Sequence, residues 1–138
     1  MRGSSGRRLV VDECVWMSAA ESDYRAQEVL LRAVNKGYRI VFDANGILLQ
    51  KLSRKLKEAA GKTCAAYLLR FLNTMVRSHA EYREPVKAAG APRENMLIAG
   101  IAVTAGALIT EDKELKEWFK REKPGTIVLS IDEALLQL

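Results

Sequence analysis

This sequence predicts an α/β fold, a three-layer α/β/α sandwich around a central parallel sheet. Three observations carry that expectation. Short apolar runs, "LVV", "IVF", "ALI" and "IVL", recur along the chain. Stretches with helical apolar spacing lie between them. Such alternation of strand and helix calls for a parallel sheet covered on both sides. At 138 residues, with 28% charged and 49% hydrophobic, the chain is long enough for one domain with a sizeable core.

The opening "MRGSSG" (1–6) reads as a flexible leader and is excluded from fold reasoning, which leaves 7–138 as a single domain. Arg8 to Asp12 forms the first strand, and the unbroken Leu9-Val10-Val11 suggests burial on both faces. A helix follows from Ser18 to the stop at Gly37, with Tyr24, Ala26, Val29, Leu30, Ala33 and Val34 inward. "YRIVFD" is the second strand. Asp43-Ala44-Asn45-Gly46 resembles the start of a calcium loop but lacks the later ligands, so a turn or helix cap is the better account. The next helix buries Leu48, Leu49, Leu52, Leu56 and Ala59, and "KTCAAYLLRFLNTMVRSHAEY" repeats the pattern through Leu68, Leu69, Leu72 and Val76. His79 continues that spacing and is expected to be a partly buried structural residue.

Arg83 to Ala91 reads as a loop. Pro92 suits the first turn of a helix that closes at Gly106, and "ALI" is a buried strand. "DKELKEWFKRE" is a helix stopped by Pro124-Gly125, followed by the strand "TIVL". Ser130 and Glu133 form the capping box of a closing helix.

Composition excludes several functions. Cys14, Cys64 and His79 are the sole cysteines and histidine, too few for the usual zinc sites and leaving one base for a serine or cysteine hydrolase. No G-x-G-x-x-G follows the first strand, and no P-loop occurs. The longest apolar run, Leu97 to Ile109, is too short to span a bilayer, so no membrane partner and a soluble cytoplasmic protein are expected. A net charge of +5 permits phosphate-rich partners without demanding them. In open parallel sheets ligands gather beyond the carboxyl ends of the strands. Asp12 ends one strand, Asp112 lies just past another, and Asn95 opens the helix that feeds it.

"LVVDECVW" resembles the first strand of the PIN-domain family, an aspartate just after an apolar strand. "NMLIAGIAVTAGALITEDKEL" resembles that family's second hallmark: an acid, a small-residue helix, then a strand ending in T-x-D. The element order is similar too, from Arg8 to Leu138. The resemblance implies a metal-dependent ribonuclease of toxin or RNA-processing type, with magnesium or manganese held by clustered carboxylates. It implies Asp12 and Asp112 as catalytic metal ligands, Thr110 as a helper that orients a water or a carboxylate, and an RNA substrate. An antitoxin or other protein partner and a homodimer are further partners that it suggests.

Two acids of the pattern are replaced by amides: the one expected early in the second helix falls at Gln50, the other at Asn95. Glu94 supplies a third anion if its side chain reaches the rim. Glu13 and Glu111 adjoin the aspartates but are expected to point elsewhere. Metal affinity should then be below the family norm, because an amide oxygen coordinates without a net charge. Asp12 and Asp112 also have plain readings as a strand-end turn residue and a helix cap. Lys51, Arg54 and Lys55, with Lys57 and Lys62, either lie along RNA phosphates or form a solvated helix face. Two functions follow: a metal-dependent ribonuclease with a weakened site, or a PIN-like module that no longer cleaves and binds RNA or a protein.

Overall fold

The structure, a computed structural model, describes residues 7–59, 61 and 64–138. The expected leader and Lys62 lie outside the described residues. Strands β1 (Arg8–Val11), β2 (Arg39–Asp43), β3 (Glu81–Arg83), β4 (Ala107–Ile109) and β5 (Ile127–Leu129) form one sheet in the order β3-β2-β1-β4-β5. Every pairing is parallel, with Leu9 opposite Ile40 and Val10 opposite Leu108. The helices are α1 (Glu13–Ala20), α2 (Tyr24–Asn35), α3 (Ile47–Glu58), α4 (Ala65–Phe71), α5 (Met96–Ala105), α6 (Lys113–Glu122) and α7 (Ile131–Gln137). The α/β three-layer sandwich expected from the sequence is therefore the fold found. No helix among the described residues is long and apolar enough to cross a membrane.

Strand β1 lies at the centre, and the chain builds outward from it first through β2 and β3, then through β4 and β5. The reversal falls between β1 and β4. Beyond the carboxyl ends of two strands whose connections depart in opposite directions, a crevice opens. The core is continuous around this point: Leu9, Val10, Leu108 and Ile109 from the strands meet Trp16, Leu52, Ile101 and Phe119 from the helices. Helix α5 packs on β1, β2 and β4. On another side of α5, Gly100 lets the Pro85–Val86 segment approach closely, since a Cβ there would lie 2.3 Å from the Val86 carbonyl oxygen. Gly106, at φ 91°, ends α5 in the left-handed conformation that directs the chain into β4.

Several element boundaries differ from expectation. The single helix expected after β1 is two. Helix α1 starts at Glu13 with Asp12 as its N-cap, and Asp23 restarts α2 by accepting from the Arg25 and Ala26 backbone N–H groups. Tyr24, placed inward by spacing, is 77% exposed because it opens α2 rather than sitting mid-helix. Past α4 the helix widens to a π segment (Leu72–Val76) and tightens to a 3-10 turn (Arg77–His79). That change of pitch shifts the helical phase, so Leu72 and Val76 are buried while His79 is exposed rather than partly buried. Strand β3 was hidden in the expected helix and loop. As an edge strand it need not be apolar, and its Glu81 bonds the Arg8 and Arg83 side chains instead. Asp43 settles the turn-or-cap question as a cap: its carboxylate accepts from the backbone N–H groups of Ile47 and Leu48 at 2.9 and 2.8 Å.

Candidate functional site

The sheet's switch point places Asp12 directly after β1 and Thr110 directly after β4. The Asp12 backbone N–H donates to the Ile109 carbonyl at 3.0 Å, extending the β1–β4 ladder by one rung and fixing the two side chains beside each other. Thr110 is 1% exposed, and its hydroxyl donates to Asp12 Oδ2 at 2.6 Å. The same oxygen of Thr110 accepts the Asp112 backbone N–H at 3.0 Å. One buried hydroxyl thus bridges the two aspartates that stand far apart in sequence.

Asp112 caps α6. Its Oδ1 accepts the Leu115 backbone N–H at 3.1 Å, and its Oδ2 accepts from Asn95 Nδ2 at 2.8 Å. Asp112 is thus the cap of α6, and Asn95 meets it as a hydrogen-bond donor. An aspartate at position 95 would set two carboxylates against each other; the amide removes that repulsion and supplies a proton.

Asp12, Asn95 and Asp112 line a cleft of about 400 Å³ together with Glu13, Cys14, Met17, Lys55 and Glu111, with Thr110 buried behind them. Glu13 and Glu111, expected to point away, both face it. The reason is that Asp12 is a helix cap, so Glu13 falls in the first turn of α1 and turns back over the strand ends. Its carboxylate pairs with Lys51 at 3.4 Å and Lys55 at 3.6 Å. Glu111 accepts the Ile131 backbone N–H at 2.6 Å and so helps start α7. Burial holds the Asp12 carboxyl above its ordinary range, opposed in part by the Thr110 hydroxyl and the Cys14 thiol. Burial, with the Asp12 charge beside it, pushes the Cys14 thiol up to about 11. Cys14 is therefore a neutral thiol near neutral pH and no thiolate nucleophile.

Two expected members lie elsewhere. Glu94 is exposed in a 3-10 turn (Arg93–Asn95) and does not line the cleft, so the structure does not bring it in as a third anion. Gln50 is exposed and faces a different groove, with Ser53, Arg54, Lys57, Asn73 and Arg77. At about 100° per residue, the Lys51–Lys55 pair is turned from Arg54 and Lys57 by roughly a quarter of the helix circumference or more. The expected basic run therefore splits: Lys51 and Lys55 serve the cleft through Glu13, while Arg54 faces the groove. Cys14, Met17 and the Glu13–Lys55 pair are cleft features that sequence reasoning missed. Among the described residues no group of three or more His, Cys, Asp or Glu side chains is arranged to hold a metal ion.

Comparison with family models, with characterised proteins and with solved structures found no match.

Proposed function

We propose that the chain is a PIN-like module that acts in the cytoplasm, binds RNA and does not cut it. One observation supports this reading above others: each of the four carboxylates around the cleft already holds an internal partner. Thr110 donates to Asp12, Asn95 to Asp112, Lys51 and Lys55 neutralise Glu13, and Glu111 accepts from the α7 backbone. A hard dication needs several oxygen donors directed at one point. Most of these oxygens are directed at protons or ammonium groups, and although Glu13 Oε2 is buried without a hydrogen bond, no three acidic, histidine or cysteine side chains among the described residues converge on one point, so the residues present fit magnesium or manganese poorly. Lys55 brings a positive charge into the cleft beside Glu13, where the ribonuclease reading requires a bound dication. The net charge of +5 is compatible with an anionic partner such as RNA.

Calorimetric titration with manganese, run beside RNA binding and cleavage for the wild type and Asp12→Asn, tests the proposal. The expected outcome is no manganese uptake at millimolar concentration and RNA that is bound and recovered intact. Manganese uptake with cleavage that disappears in Asp12→Asn would establish the ribonuclease reading instead. Failure to bind RNA, with neither uptake nor cleavage, would leave a protein partner, such as an antitoxin or a second copy of the chain, as the function of this module.

A further inference from the structure

The groove that took Gln50 away from the cleft has a composition unlike the cleft's own. Gln50, Ser53, Arg54 and Lys57 follow one another on α3 at the i, i+3, i+4, i+7 spacing that places them on one face. Asn73 and Arg77, an i, i+4 pair on the π segment and the 3-10 turn after α4, form the facing wall. The groove encloses about 540 Å³. None of its lining side chains is acidic. Arg54, Lys57 and Arg77 are exposed, and none makes a side-chain hydrogen bond or ion pair among the described residues, whereas Lys51 and Lys55 on the same helix are both paired. The Ser53 hydroxyl is buried and lacks a hydrogen-bond partner among the described residues. A serine inside a helix usually returns its hydroxyl to its own backbone; here that bond is not made.

We infer that this groove between α3 and the segment after α4 binds the phosphodiester backbone of single-stranded RNA, at a site separate from the acidic cleft. The inference rests on the RNA-binding reading and gives it a location. Three free cations supply the charge, and the amides of Gln50 and Asn73 supply neutral donors to phosphate oxygens, the mixture by which proteins hold nucleic-acid backbones without reading sequence. The stretch from Gln50 to Lys57 rises about 10 Å along α3. That length is enough for contacts to more than one phosphate of a strand. The cleft lies on the other flank of α3, where Lys51 and Lys55 are already engaged with Glu13.

Fluorescence anisotropy with a labelled oligouridine, over salt from about 0.05 to 0.5 M, tests the site. For single strands the logarithmic salt slope is about −0.7 per neutralised phosphate. The combined variant Arg54→Gln, Lys57→Gln, Arg77→Gln should therefore flatten the slope by about 2 and weaken binding about 100-fold near 0.1 M salt. Lys57→Gln alone should flatten it by about 0.7 and weaken binding about 5-fold, a readout that survives if the triple variant folds poorly. A control that removes equal charge from α6 and its C-cap, Lys113→Gln, Lys120→Gln, Lys123→Gln, should change binding by less than about 3-fold, since no phosphate contact is lost. Equal losses in the two triple variants, or none with the groove variants, would overturn the groove while leaving RNA binding standing. A wild type that does not bind the oligouridine would overturn the RNA-binding reading and the groove with it.

Discussion

Replacing Thr110 by valine removes a hydroxyl and keeps the shape. Two bonds depend on that hydroxyl: its donation to Asp12 Oδ2 at 2.6 Å and its acceptance of the Asp112 N–H at 3.0 Å. A hydrogen bond to a charged group contributes about 1.5–3 kcal/mol, and a buried N–H left without an acceptor costs about 1–3 kcal/mol. The two share one atom and do not add fully, so a loss of about 3 kcal/mol is expected. With about 2.1 cal/mol/K of unfolding entropy per residue over 138 residues, Tm should fall by about 10 °C. The loss should also depend on pH. Thr110 holds down an Asp12 pKa that burial raises, so its removal raises that pKa further and penalises the ionised form more. The valine variant should therefore lose more stability at neutral pH than in acid, where Asp12 is protonated. Urea melts and thermal denaturation at two pH values measure both effects, and Thr110→Ser, which keeps the hydroxyl, should recover most of the stability. A Tm drop below about 3 °C, or an equal loss in the serine variant, would refute the claim that this hydroxyl ties the two strand ends together.

Three further outcomes follow from the same geometry. Because the folded pKa of Asp12 lies above the ordinary 3.8, native-state stability from its protonated form is complete below that value and is lost as pH rises through the folded pKa; Asp12→Asn should flatten that decline, as read from urea midpoints across pH. Asp43→Ala strips the cap from α3 and leaves the Ile47 and Leu48 N–H groups unmatched beside a 1% exposed position, so unfolding free energy should drop by about 2 kcal/mol or more. Gly100→Ala pushes a methyl group against the Val86 carbonyl and Pro85, and should destabilise by about 1–3 kcal/mol in denaturant melts, where an unchanged midpoint would show that the Pro85–Val86 loop moves aside freely.

The sheet and its order of elements were legible because each central strand is an unbroken apolar run and each long helix has a clear stripe. Leu48, Leu49, Leu52 and Leu56 are buried as their spacing implies. Strand β3 was not legible, since Glu81-Tyr82-Arg83 has charged residues at two of its three positions and earns its place through pairing with Val41–Asp43. The break between α1 and α2 was signalled by Ser22-Asp23, a turn-and-cap pair that continuous apolar spacing on either side overrode. At the site, Asp12, Asp112 and Asn95 were placed together from their positions at strand and helix ends, and Thr110 was added by the family resemblance. Glu13 was misjudged because its direction depends on whether Asp12 ends a strand or caps a helix, a difference of one residue in a boundary. Gln50 was misjudged because alignment to a motif says which turn of a helix a residue occupies but not which way that turn faces.

The outer margins of the sheet bear on how copies of this chain can meet. At one margin stands β3, three residues long, with Glu81 held by two arginines; at the other stands β5, also three residues, between Gly125 and the cap of α7. A neighbouring molecule that tried to lengthen the sheet would find little backbone to pair with and, on one side, charges to desolvate. Short, partly charged margins of this kind disfavour edge-to-edge pairing and leave the helical faces as the broader surface of the molecule.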